Sequence, residues 1–329
     1  MIMTNDLNKE NKCNSLLSGG RKYDYVYILK FLAILFITNS HFKPVYPEHL
    51  NQFAFGGAMG CAIFFFVSGF TLAHSKKDNF IKWYGKRILR IYPAMWIYYM
   101  VTLKFESWTM FLWPHLWFLQ AIMVFYAAYY FVSKYAYSKY LSISLILFVP
   151  LLLVYSFSDH SIWMIDYAQH PYKIHWIYYF SIMLVGAWYR LNMGKYRICL
   201  ERINKWPFVS SCALLFLITY GLKLVCEKAI IDINFQLLFP LLLLISVISF
   251  LFASMKFELS ENVFSKVIIW VADRTLELFI VQVLIVKEFA VIDNPILRFF
   301  SVIFAILISA CILHWIVNLL VSPILKRYF

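Results

Sequence analysis

The alternation of apolar and polar stretches divides the chain into about ten long hydrophobic runs. They lie near residues 23–40, 55–74, 92–113, 116–133, 141–157, 175–191, 208–226, 235–254, 267–286 and 297–319. Each is roughly 17–25 residues long, enough for an α-helix to cross the hydrocarbon layer. The pattern therefore predicts an all-α fold, a polytopic membrane bundle of about ten transmembrane helices. No repeat and no soluble-type segment interrupts the series, so residues 21–329 are expected to form a single transmembrane domain. Residues 1–20, rich in Asn, Lys and Ser without an apolar core, read as a disordered cytoplasmic tail rather than a signal peptide.

Lysine and arginine orient this bundle. One set of alternate loops carries 21 of them, including Lys76, Lys77, Lys82, Lys86, Arg87 and Arg90, against 7 on the other set, such as Lys43, Lys104 and Arg298. Cytoplasmic loops hold the excess. Both termini are then expected in the cytoplasm, with an even number of crossings, and the expected location is a bacterial-type cytoplasmic (inner) membrane. The composition, 62% hydrophobic and 14% charged, agrees with a chain immersed in the lipid bilayer. A net charge of +13 would suggest nucleic acid in a soluble protein. Here the basic residues sit between apolar runs and serve orientation, so no nucleic-acid partner is expected. The six cysteines show no metal-ligand spacing and read as packed thiols, implying neither metal nor disulfide.

Costly residues inside or beside apolar runs direct attention to chemistry. Lys30 and His41 are eleven residues apart on the first predicted helix. At 100° per residue their directions differ by only about 20°, with about 16 Å between them along the axis. Such a shared polar face points into the bundle or a wet cavity, although Lys30 alone can also be read as snorkelling to the inner headgroups. His41 falls at the outer helix end before Lys43, Pro44 and Pro47. An isolated histidine there is an interfacial residue, whereas one in this company suits a general base. Gly56, Gly57, Gly60, Ser68 and Gly69 give the second helix small residues, for close helix packing or for a narrow substrate.

From Lys76 to Tyr92 basic and aromatic positions interleave, predicting an amphipathic helix at the cytoplasmic interface. Arg87 and Arg90, three apart, share one side of it and can fork phosphate oxygens. Pro93 suits the first turn of the helix that follows. Trp117 belongs to an aromatic belt that also contains His115. Asp159, His160, Asp166, His170 and His175 occupy a long outer loop. Glu277 and Gln282 lie within an apolar run where both need partners.

These motifs together resemble the integral-membrane acyltransferase 3 family. They are Thr38-Asn39-Ser40-His41, FFFVSGF at Phe64–Phe70, RILRIYP at Arg87–Pro93, HLWFLQ at His115–Gln120, TLELFIVQ at Thr275–Gln282, and HWIVNLLVSPI near the end. The resemblance implies ten helices and transfer of an acyl group, usually acetyl from acetyl-CoA, to hydroxyls of cell-surface glycans. It implies that His41 is the essential histidine and Arg87 and Arg90 the arginine pair. Lys30, Ser68, His115, Trp117 and Glu277 are weaker candidates for substrate contact or support. Gln282 departs from the pattern, which often has histidine there, and Val321-Ser322-Pro323 replaces a frequent Glu-Lys-Pro.

The expected mechanism has acyl-CoA phosphates on Arg87 and Arg90, its pantetheine arm between the first two helices, and His41 as base for an acceptor hydroxyl. The acceptor expected is a glycan or lipid-linked sugar. The rival readings are a flippase for a lipid-linked sugar and an acyltransferase for a lipid or small metabolite.

Overall fold

A computed structural model describes residues 24–75, 79–102, 116–157, 174–201, 203–227 and 238–328. Among them the regular structure is entirely helical. The helices are α1 (Asp24–His41), α2 (Gly57–Leu72), α3 (Phe80–Thr102), α4 (Trp117–Tyr135), α5 (Tyr140–Phe157), α6 (Ile174–Glu201), α7 (Lys205–Glu227), α8 (Leu238–Ser254), α9 (Val263–Asp273), α10 (Thr275–Phe289) and α11 (Pro295–Tyr328). By length and composition, three described segments can cross a membrane: Glu48–Leu72, Lys205–Leu222 and Pro295–Ile324. Tyr137–Val149 and Leu242–Ser254 are apolar but shorter.

Helix α2 is the hub. It is buried from Met59 nearly to its end and packs between α1 and α6. Two glycines allow the α2–α6 crossing. A Cβ on Gly69 would collide with the Met183 carbonyl oxygen, and one on Gly186 with the Phe66 carbonyl oxygen. Backbone therefore lies against backbone, which answers the packing role for Gly69 and leaves no room there for substrate. Gly69→Val is expected to lower stability by at least about 1–3 kcal/mol, the usual cost of overpacking. Gly221, with open space around its Cβ position, is the control: Gly221→Ala should be neutral or slightly stabilising. Thermal unfolding in detergent checks both.

Aromatic rings fill the space around α2. Phe65 meets Phe118 at 4.8 Å, Phe125 at 5.0 Å and Tyr179 at 5.2 Å, and Phe118 reaches Phe279 on α10 at 4.8 Å. The FFFVSGF and HLWFLQ segments are in this way docked onto each other. Cys61 and Cys212 are buried thiols, whereas Cys311 is exposed rather than packed.

Several boundaries differ from the sequence reading, among them that of α11, which runs on to Tyr328 with Pro323 inside it; three others bear on the site. The interfacial basic stretch and the third apolar run form one helix, α3, with Pro93 inside it rather than in a first turn. Pro93 withholds only one N–H, the one that would reach the Leu89 carbonyl. Burial of Tyr92, Pro93, Ala94 and Met95 holds the rest of the helix together around it. The ninth apolar run is divided at Arg274, whose backbone (φ −111, ψ 18) leaves the helical region. The Asn262 side chain accepts from the Ser265 amide to start α9, and the Thr275 hydroxyl donates to the Ala272 carbonyl across the break. Finally, α6 runs on to Glu201, placing Arg190, Lys195 and Arg197 on helix instead of loop.

Candidate active site

The last turn of α1 explains why a Thr-Asn-Ser-His sequence stands there. Thr38 donates its hydroxyl to the Gln282 carboxamide oxygen on α10 at 2.7 Å. Asn39 donates to the carbonyls of Phe53 and Phe55 at 2.7 and 2.8 Å. Its own oxygen accepts from Tyr46 at 2.7 Å. Burial pushes the Tyr46 phenol above its ordinary range, so it remains a hydroxyl donor at neutral pH. Ser40 donates to the Ile37 carbonyl at 2.7 Å and fills the space a Cβ on Gly57 would need. Three of the four side chains are thus engaged in holding the helix end. The fourth, His41, is half-buried and makes no side-chain hydrogen bond among the described residues.

The loop beyond His41 is fastened from the other side. Arg298 donates to the Val45 carbonyl at 2.9 Å and to the Ala290 carbonyl at 3.2 Å, and Phe42 packs edge-on against Phe299 at 5.6 Å. Gly56 enters α2 with a left-handed φ of 105° beneath Phe36, where a side chain would be strained. His41 consequently sits on a braced helix end rather than on a free loop.

One α1 face carries Lys30 and His41, and it turns toward α9 and α10. Thr38 contacts Gln282 at the upper end, and Lys30 lies within electrostatic reach of Asp273 and of Arg90 at the lower end. The neighbouring side of α1, which carries Ala33 and Ile37, is closed against α2. A Cβ on Gly60 would sit 2.5 Å from the Ala33 carbonyl oxygen and 2.6 Å from Ile37. The polar face runs beside α9 and α10.

The arginine pair stands at the Lys30 end. Arg87 lies over the buried Trp83 indole, its Cζ 3.9 Å from the ring centroid, and donates to the Trp83 carbonyl at 2.9 Å. Trp83 in turn donates to Ser75 at 3.1 Å. The Tyr126 phenol on α4 meets the Ser68 hydroxyl of α2 and feels both Arg87 and Arg90. Lys30, Ser68, Arg87 and Arg90 are accordingly brought together, with Tyr126 and Asp273 added to them. Three cations facing one carboxylate leave excess positive charge, which favours an anionic ligand. Guanidinium forks suit phosphate in particular.

Other candidates lie elsewhere. Gln282 and Glu277 are five residues apart on α10, so their directions differ by about 140°. Glu277 turns to α11, where its carboxylate is 2.8 Å from His314 Nδ1, while Asn318 Nδ2 is 2.9 Å from His314 Nε2. This chain braces α10 against α11 and meets the partner requirement of the buried carboxylate. Trp117 stacks on Tyr179 at 5.8 Å and meets His175 edge-on at 5.2 Å, in the aromatic core rather than beside His41. His115, Asp159, His160, Asp166 and His170 lie outside the described residues. Tyr126, Asp273 and His314 went unseen in the sequence. Only His314 and Asn318 left a signal, a helical spacing of four.

A family model for the acyltransferase domain matches residues 23–315, most of the chain. No curated protein and no solved structure matches it.

Proposed function

The chain belongs to the acyltransferase 3 family of membrane acyltransferases, and on that premise we propose that it moves an acyl group, acetyl in the first instance, from acyl-CoA to a hydroxyl of an exported or cell-surface glycan. The phosphates of the donor bind at Arg87 and Arg90 with Lys30 beside them. The pantetheine arm follows the polar face of α1 past α9 and α10. At its far end the imidazole of His41 removes the proton from the acceptor hydroxyl as that oxygen attacks the thioester carbon. The bundle crosses a bacterial-type cytoplasmic membrane about ten times as a single domain, with both termini in the cytoplasm.

One observation carries this reading. The α1 helix presents, on a single face, an imidazole left free by its engaged neighbours and, about 16 Å along the axis, a lysine within electrostatic reach of Arg90. That separation is comparable to an extended pantetheine arm, and a base and an anion site so placed suit one donor molecule. The test is to supply the purified protein, in lipid nanodiscs, with acetyl-labelled acetyl-CoA and envelope glycan from the producing cells. Label in the glycan with release of free CoA is expected. Movement of a lipid-linked sugar across the bilayer without consumption of the thioester would establish the transporter reading instead.

A further inference from the structure

Gln282 is fully buried on α10, and its side chain is only half used. The carboxamide oxygen accepts from Thr38 at 2.7 Å, while the amide nitrogen has no hydrogen-bond partner among the described residues. A buried N–H group without an acceptor costs on the order of 1–3 kcal/mol. Such a group is explained when a ligand supplies the missing acceptor. The Thr38 contact fixes where this amide sits. Thr38 and His41 are three residues apart, hence neighbours on α1 separated by about 4.5 Å along the axis. The unused N–H donors are thereby tied to the helix turn that presents the imidazole.

We infer that the Gln282 amide nitrogen donates to the thioester carbonyl oxygen while negative charge gathers on it. This rests on the acyl-transfer reading above. The acceptor hydroxyl oxygen bonds to the carbonyl carbon, its proton passes to His41, and the carbonyl electron pair moves onto the oxygen held by Gln282. On collapse the C=O bond re-forms, the C–S bond breaks, and the departing CoA thiolate takes the proton from the imidazolium. A carboxamide serves here because the oxyanion needs an aimed N–H and no proton exchange.

The experiment measures kcat and KM for acetyl-CoA with envelope glycan as acceptor, together with thermal unfolding, for Gln282→Met and Gln282→His. Gln282→Met has similar size and no donor. Its kcat should fall by about 10²–10³-fold, with KM and unfolding temperature close to those of the unaltered protein. Gln282→His keeps an N–H and should retain more activity than Gln282→Met. Should Gln282→Met fail to accumulate, Gln282→Glu keeps the acceptor for Thr38, lacks the donor, and carries the same expectation. An unchanged kcat, or a loss that merely follows loss of folded protein, overturns the inference. If His41→Ala is inactive while Gln282→Met is fully active, only the oxyanion role falls. If His41→Ala is itself fully active, the reading beneath it falls as well.

Discussion

Replacing His41 with Ala is expected to lower acyl transfer from acetyl-CoA by about 10²–10⁴-fold, the usual contribution of a positioned general base, while the protein accumulates normally. The contrast between activity and abundance follows from the helix end itself. Thr38, Asn39 and Ser40 hold their partners through side chains, whereas His41 has no side-chain hydrogen bond among the described residues to lose. Its truncation should therefore leave the fold in place. The neighbouring change Asn39→Ala does the reverse. It releases the carbonyls of Phe53 and Phe55 together with the Tyr46 phenol, so it should lower unfolding temperature as well as activity. Glycan acetylation read by mass, alongside membrane abundance of each variant, checks the pair. His41→Ala with undiminished acetylation would remove the base from the mechanism.

The second large effect belongs to the arginine pair. Arg87→Lys and Arg90→Lys each keep a positive charge and lose the fork, so each should weaken binding of CoA by about ten- to a hundred-fold. That range corresponds to roughly 1.5–3 kcal/mol for a hydrogen bond to a charged group. Arg87 carries a further cost. Its guanidinium is held over Trp83 while donating to the Trp83 carbonyl, and an ammonium does not reproduce that pair of contacts. Acetyl-pantetheine, which lacks the nucleotide phosphates, separates this role from general damage. Both variants should use it as well as the unaltered protein does. Equal loss with acetyl-CoA and acetyl-pantetheine would show that the arginines support the fold and do not hold phosphate.

Much of the helical layout was legible because long apolar runs dominate this chain. The first run differs from α1 by a single residue at each end, and the fifth from α5 by one residue at its start. The common face of Lys30 and His41 also followed from helical periodicity, since phase along one helix is a local property. What crosses between helices was not readable. Nothing in the spacing of Thr275–Gln282 tells that Glu277 turns to His314, 37 residues away, while Gln282 turns to Thr38, 244 residues away. The break at Arg274 was equally hidden. It falls at the polar triplet Asp273-Arg274-Thr275 inside an apolar run, with neither Gly nor Pro, the residues by which helix ends are usually recognised. Pro93 misled in the opposite direction, because burial on both sides of it outweighs one missing hydrogen bond. The arginine cradle, by contrast, was available in the four-residue spacing of Trp83 and Arg87.

All of these expectations depend on one donor molecule spanning the polar face of α1. A structure of the protein bound to a non-hydrolysable acetyl-CoA analogue tests that directly. The analogue's carbonyl carbon should lie beside the His41 ring, at a distance that one acceptor hydroxyl can bridge, with its phosphates on Arg87 and Arg90. Phosphates held by other cations, or an acyl end remote from His41, would contradict it.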